Sequence, residues 1–181
     1  MLGHGAAGGV NAPDLVAVRD AAVRAGVAVA RVTQPYRVAG RASPAPAAHL
    51  DEAWLAVVAA LRDGSVVAGR WPATVPLVTG GRSSGARVAC RTARAAGAVG
   101  VLALAFPLHP PGKPTASRAA ELDSGVPTLV INGDRDPFGV PASSELVRVV
   151  VRPGDRHDLR KKPVEMAEVV VDWLAELGLT R

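Results

Sequence analysis

The stretch Val75-Pro-Leu-Val-Thr-Gly-Gly-Arg-Ser-Ser-Gly-Ala-Arg-Val-Ala-Cys-Arg91 indicates the fold of this 181-residue chain. Its apolar start predicts a buried strand over 75–79 that Gly80 and Gly81 break, and the following residues predict a helix over 84–96. Between them, Gly81-Arg82-Ser83-Ser84-Gly85 fits the pattern Gly-x-Ser-x-Gly, in which a nucleophilic serine stands on a sharp strand-to-helix turn. A Gly/Ser turn that only opens a helix is the alternative, and the pattern alone leaves both open.

Apolar runs alternate with helical patterns along the rest of the chain, which predicts a mostly parallel sheet flanked by helices. The length suits one domain over 1–181. Further strands are predicted over 27–33, 99–105, 126–131 and 147–151. Helices are predicted over 14–25, 47–62 and 163–177, with weaker signals over 116–122 and 142–146. Irregular loops are predicted over 35–46, 106–114 and 133–139.

Composition and charge exclude several classes of protein. The net charge is +5, but an aromatic share of 3% offers no base-stacking platform, so no specific nucleic-acid partner is predicted. The basic residues Arg87, Arg91 and Arg94 are predicted to form a solvated helix face and not a phosphate-binding stripe. A single cysteine, Cys90, and no visible signal peptide or spanning segment predict a cytoplasmic protein without membrane contact. The four histidines lack metal-ligand spacing, and no cofactor is predicted.

Two polar loops after later strands supply partners for Ser83. Asp136 is preferred over Asp134 because it lies further into its loop and Pro137 restricts its backbone, although an Asp-Pro turn is the alternative. His157 follows the strand over 147–151 and is predicted to be the general base, the alternative being an exposed loop histidine. Because the carboxyl ends of parallel strands share one edge, these three side chains are predicted to meet there as a catalytic triad.

A fourth loop, Gly3-His4-Gly5-Ala6-Ala7-Gly8-Gly9, allows close approach of backbone N–H groups to a substrate. The N–H groups of Ala6 and Ser84 are predicted to form the oxyanion hole of an acyl-transfer reaction. A phosphate cradle is the alternative, but neither a Gly-Lys-Ser/Thr ending nor a Gly-x-Gly-x-x-Gly spacing is present.

Together the four segments resemble small α/β-hydrolase-fold proteins of the dienelactone-hydrolase-like branch, which carry H-G-A-G-G, G-G-R-S-x-G-G-R, a G-x-x-D-P-F-G loop and a late histidine. The resemblance covers nearly the whole chain. It implies an α/β-hydrolase fold with Ser83 as nucleophile, Asp136 as acid and His157 as base, and a structural role for His4. Dienelactone hydrolase itself has cysteine where this chain has Ser83, and Ala86 replaces the usual second glycine.

The start of the chain departs from this resemblance. Several strands precede the oxyanion loop in that fold, whereas only Met1 and Leu2 precede Gly3 here, so the N-terminal strands are expected to be lacking. We therefore expect either coding sequence upstream of Met1 or a poorly stable form, because neighbouring strands lose ladder partners.

The function that the sequence predicts is hydrolysis of an ester-type bond, a carboxylic ester or thioester, in a small substrate through an acyl-enzyme. No insertion is long enough for a large lid, which favours an open site. A catalytically inactive hydrolase-fold binding or scaffold protein is the main alternative, followed by peptidase chemistry and by nucleic-acid binding.

Overall fold

A computed structural model describes residues 1–42, 44–65, 71–72 and 74–181. Six strands form one all-parallel sheet in the order β2-β1-β3-β4-β5-β6. Their bounds are β1 (Leu2–Gly3), β2 (Arg31–Val32), β3 (Val78–Arg82), β4 (Gly100–Leu104), β5 (Thr128–Gly133) and β6 (Val147–Arg152). The predicted fold class, a parallel sheet flanked by helices, is confirmed.

Helices cover both faces of the sheet. They are α1 (Pro13–Arg24), α2 (Pro35–Val38), α3 (Ala47–Asp63), α4 (Ser84–Thr92) and α5 (Pro163–Glu176), with a 3-10 helix over Ala119–Leu122. In β4, Leu102 and Leu104 pack in the cluster that contains α1 and α5, whereas Val101 and Ala103 pack with α4. Side chains alternate across a strand, so a strand that is buried on both faces is apolar throughout.

The strand that leads to Ser83 begins and ends three residues later than predicted. The prediction that Gly80 and Gly81 break it is wrong, because β3 runs through both and ends at Arg82. An added Cβ at Gly80 would lie 2.7 Å from the carbonyl oxygen of Leu102, and one at Gly81 would collide with the Gly3 carbonyl. The glycines therefore permit close packing of neighbouring strands and do not mark a turn.

Other predicted bounds also change. The strand predicted over 27–33 is reduced to β2, which pairs only with the two residues of β1. No helix forms over 142–146, where Ser144 pairs with Val147 in a turn and the Ser143 hydroxyl accepts the Val149 N–H at 3.1 Å. Such serine-to-backbone bonds compete with a helix.

The loop predicted over 35–46 contains the short helix α2, and its residue Ser43 lies outside the described residues. The helix predicted over 84–96 ends as α4 at Thr92 and continues as turns. Among the described residues, no helix has the length and apolar character needed to cross a bilayer.

Candidate active site

The backbone at Ser83 adopts a conformation that few side chains tolerate. Its φ is 53° and its ψ is −110°, directly between β3 and α4, and its N–H donates to the Leu104 carbonyl oxygen at 2.9 Å. Residues held in such sparsely populated regions need close support from their surroundings. That support includes Gly81 and Gly85, because a Cβ at either position would collide with the carbonyl oxygen of Gly3.

The structure brings together the three side chains that the sequence singled out. The Ser83 Oγ lies 2.9 Å from Nε2 of His157, and Nδ1 of the same ring lies 2.8 Å from Oδ2 of Asp136. With its proton on Nδ1, the imidazole donates to the carboxylate and accepts the serine hydroxyl proton. The arrangement can therefore activate a hydroxyl for attack on a carbonyl group.

Asp136 has a fully buried side chain that is held on several sides. The Phe138 N–H donates to its Oδ1 at 2.9 Å, and the Asn132 amide donates to its Oδ2 at 3.4 Å. The Phe138 ring packs edge-on against the His157 imidazole, with ring centroids 4.4 Å apart. These contacts fix the orientation of both the carboxylate and the imidazole.

Asp134, the other acid of this loop, has a different place. Its Oδ1 accepts the N–H of Gly154 at 2.7 Å on the exposed side, so it joins the loops that follow β5 and β6.

Asn132 is a supporting residue that the sequence analysis did not single out. Its side-chain amide forms hydrogen bonds to Asp136 and to the backbone of Phe106. An asparagine that directly follows the apolar run over 129–131 was the available signal.

The predicted oxyanion donors line the same cavity as Ser83. Ala6 and Ser84 both contribute to its wall, and within the described residues neither backbone N–H donates to a protein acceptor. The Ala6 carbonyl oxygen accepts the Tyr36 hydroxyl at 3.1 Å, which restrains the loop. A Cβ on Gly5 would lie 3.4 Å from the Ser83 Cβ, so the loop and the serine are in direct neighbourhood.

His4 is fully buried beneath this loop. Its Nδ1 lies 2.8 Å from the Gly5 carbonyl oxygen and its Nε2 accepts the Gln34 N–H at 3.0 Å, while the Gln34 side chain donates to the His4 carbonyl. Burial lowers the pKa of His4, and the Arg37 charge lowers it further against the opposing bond to Gly5. The pattern of one donor and one acceptor requires the neutral ring, and both ring nitrogens bond to groups other than Ser83.

Arg82 supports the loop from its other side. Its Nε lies 3.1 Å from Oδ2 of Asp14, a carboxylate with no exposed surface. Burial raises the pKa of Asp14, whereas the Arg82 charge lowers it. A Cβ on Gly5 would approach Nη1 of Arg82 to 2.9 Å, so the guanidinium lies directly under the backbone of this loop.

The cavity beside Ser83 has a volume of about 450 Å³. Pro107 and Pro111 form part of its wall, as do four arginines, Arg82, Arg87, Arg91 and Arg118.

The prediction of a solvated face for Arg87 and Arg91 is wrong, because both form ion pairs and are about one-quarter exposed or less. Arg94 is 72% exposed, as that prediction requires. Among the described residues, no cluster of His, Cys, Asp or Glu is suited to hold a metal ion.

Comparisons with solved structures show the same fold at low sequence identity. A serine hydrolase from Xanthomonas campestris described as having no lid aligns with a TM-score of 0.74 and 18% identity, over 97% of this chain and 81% of that one. Est1E from Butyrivibrio proteoclasticus, solved with ferulic acid bound, gives 0.72 and 18% over 97% and 87%. Dienelactone hydrolase from Anabaena variabilis gives 0.66 and 16% over 97% and 84%.

No curated protein matches the chain. The sequence profile described as "Alpha/beta hydrolase domain" matches residues 1–163, which is most of the chain. The sequence profile and the structural neighbours confirm the resemblance inferred from the four loops, and the chain belongs to the α/β hydrolase domain family.

Proposed function

We propose that this protein is a serine hydrolase that cleaves a carboxylic ester or thioester in a small substrate through an acyl-enzyme. The observation that carries the proposal is the hydrogen-bonded series from Ser83 Oγ to His157 Nε2, at 2.9 Å, and from Nδ1 to Asp136, at 2.8 Å. The fully buried carboxylate fixes the tautomer of the ring and stabilises the imidazolium that forms when Ser83 loses its proton.

In the first step, Ser83 Oγ attacks the carbonyl carbon of the substrate while His157 accepts its proton. The negative charge that develops on the carbonyl oxygen is stabilised by the N–H groups of Ala6 and Ser84, since each such donor is worth about 2.7–4 kcal/mol in the transition state. Ser84 is the first residue of α4, so the positive end of the helix dipole adds to this stabilisation. His157 then returns the proton to the leaving alcohol or thiol.

In the second step, water takes the place of the leaving group. His157 removes a proton from the water as its oxygen attacks the acyl carbon. The tetrahedral intermediate then collapses, the bond between the acyl carbon and Ser83 Oγ breaks, and His157 returns the proton to that oxygen as the acid product leaves. In both steps His157 is the group that accepts and returns the proton. A cavity of about 450 Å³ suits a small substrate. Est1E, with ferulic acid, and the lidless Xanthomonas hydrolase share this fold and support the proposal by analogy.

A fluorophosphonate probe, which reacts covalently with activated serines, tests the proposal directly. We expect labelling of the wild type and none of Ser83→Ala, with a parallel loss of p-nitrophenyl acetate hydrolysis of about 10⁴-fold or more. Ser84→Ala is the matched control, because it removes a neighbouring hydroxyl and keeps the backbone N–H. A folded wild type that neither labels nor hydrolyses esters would instead favour the binding or scaffold alternative.

A further inference from the structure

The cavity beside Ser83 has an unbalanced charge on its wall. Four arginine side chains line it, and no Asp or Glu within the described ranges does. All 16 acidic residues of the chain lie within those ranges, so the acids that neutralise these arginines can be identified. None of these acids is among the residues that line the cavity.

Two of the arginines are held by a network on α3, α4 and the 3-10 helix. Arg87 makes two bonds to Glu121, at 2.8 and 2.6 Å, and Arg91 makes two to Asp51, at 2.8 and 2.6 Å. Arg91 also donates to Glu121 at 3.0 Å. Burial would raise the pKa of Glu121, but these guanidinium groups hold it below its ordinary value. Glu121 and Asp51 are therefore both engaged by these guanidinium groups through charge-assisted hydrogen bonds.

A third arginine, Arg82, pairs with Asp14 under the oxyanion loop. Asp136 is engaged elsewhere, because it accepts bonds from Asn132, Phe138 and the His157 imidazole. Asp14, Glu121 and Asp51 therefore form ion pairs with three of the four arginines in the cavity wall.

Arg118 is the fourth, and it has no such partner. No carboxylate in the described part of the chain forms an ion pair with it, and Arg118 lines the cavity together with Ser83. Burial lowers the pKa of Arg118, and the charges of Arg87 and Arg91 lower it further, against the opposing charge of Glu121. A guanidinium stays protonated at neutral pH, so a half-buried cation lines the same cavity as Ser83 and forms no ion pair with a described carboxylate.

The backbone holds Arg118 in place. Its N–H donates to the Leu108 carbonyl oxygen at 2.7 Å, which joins it to the proline-rich loop that forms another part of the wall. Its carbonyl oxygen accepts the N–H of Glu121 at 2.9 Å, the residue that also holds Arg87 and Arg91. The backbone of Arg118 is thus tied to the short segment that carries Glu121, the acid that pairs with Arg87 and Arg91.

We propose that Arg118 binds an anionic group, a carboxylate or a phosphate, on the substrate whose ester-type bond Ser83 attacks. This inference rests on the proposed hydrolase function and assigns it a substrate class: small esters or thioesters that carry a negative charge on their acyl or leaving part. Arginine suits this role, because its planar fork can make two parallel bonds to either group. Arg87 and Arg91 add positive potential at the same wall and attract the anion.

Matched substrate pairs test the inference. Mono-p-nitrophenyl adipate against p-nitrophenyl hexanoate places the charge on the acyl side, and 4-acetoxybenzoate against 4-acetoxybenzamide places it on the leaving side. We expect the wild type to prefer the anionic member of at least one pair by about tenfold to hundredfold in kcat/KM. The preference falls as salt rises, because ions screen a partly exposed cation.

Variants of Arg118 separate this inference from the parent proposal. Arg118→Gln is expected to abolish the preference, because kcat/KM falls far more for the anionic ester than for its neutral partner, and Arg118→Lys is expected to retain part of the preference. Arg94→Gln removes the same charge at an exposed position and is expected to leave the preference unchanged. The wild type preferring neither anion, or a preference that survives in Arg118→Gln, would overturn the inference. A folded wild-type protein that shows no Ser83-dependent hydrolysis of the neutral esters would instead contradict the proposed hydrolase function.

Discussion

Two glycine-bearing segments lie against Ser83, and their glycines serve different purposes. In the turn over 81–85, a Cβ on either Gly81 or Gly85 would collide with the backbone of Gly3. In the loop over 3–9, Gly9 has open space around it, and the nearest atom to a Cβ on Gly8 lies 3.7 Å away. The serine turn is therefore shaped by close packing of backbone against backbone. The outer part of the loop over 3–9 has no such close contact, and hydrogen bonds from the side chains of Tyr36 and Arg37 to its carbonyl oxygens hold it instead.

Gly85→Ala should have the largest effect, because both atoms that its Cβ meets first belong to the rigid backbone of β1 and cannot rotate away. We expect a loss of about 3 kcal/mol or more in the free energy of unfolding, at the upper end for overpacking, or failure to fold. Chemical denaturation measures the loss, and ester hydrolysis should fall with it. A fully stable and active Gly85→Ala protein would mean that β1 packs less closely on this turn than the comparison requires.

His4→Gln addresses the side-chain support of the loop. The variant cannot reproduce both bonds of the buried ring, one to Gly5 and one to Gln34, so we expect a loss of about 1–3 kcal/mol at pH 7.5. Because burial lowers the pKa of His4 below its ordinary value of 6.5, the neutral ring stabilises the protein above that pH. This contribution is lost as the pH falls through 6.5 towards the folded-state pKa.

The difference in unfolding free energy between wild type and His4→Gln should therefore shrink from pH 7.5 to pH 5.5. His49→Gln provides the control, since His49 is exposed, and its difference from wild type should stay near zero across the range. A difference for His4→Gln that grows on acidification would mean that the ring is charged in the folded protein.

The strands next to the serine turn show what the sequence could and could not predict. The strands β4 and β5 were predictable because burial on both faces leaves an apolar run, over all of β4 and over 129–131 in β5. The bounds of β3 were missed because two consecutive glycines usually indicate the end of a strand. Here Gly80 packs against Leu102 and Gly81 against Gly3, and such contacts between strands leave no pattern in the local sequence.

The candidate site shows the same division. Ser83, Asp136 and His157 each follow a strand, and strand ends converge in a parallel sheet, so their meeting was predictable. The places of Arg87 and Arg91 were not, because their acidic partners lie 30 to 40 residues away in the chain. Local periodicity on a helix carries no information about such partners, and a charged stripe then reads as a solvated face.

Tyr36→Phe should have a smaller effect than His4→Gln, because it removes one hydrogen bond and keeps the packed ring. The lost bond, 3.1 Å long to the Ala6 carbonyl oxygen, predicts a destabilisation of about 0.5–1.5 kcal/mol. A looser loop holds the Ala6 N–H less firmly, so kcat should fall by a few-fold with little change in KM for a neutral ester. Steady-state kinetics test the division, and a change confined to KM would count against a role in the oxyanion loop.

Gly9→Ala should have the smallest effect and gives the comparison its sharpest contrast, since it makes the same chemical change as Gly85→Ala. Its Cβ meets nothing within 4 Å, and Gly9 is exposed at the outer end of the loop. We expect the unfolding free energy to stay within about 0.5 kcal/mol of wild type, as for most surface substitutions. A slight gain is consistent with the lower entropy of the unfolded chain. If Gly9→Ala instead destabilises the protein as much as Gly85→Ala, the conformational freedom of glycine governs both segments and the close packing of β1 is not what sets the serine turn apart.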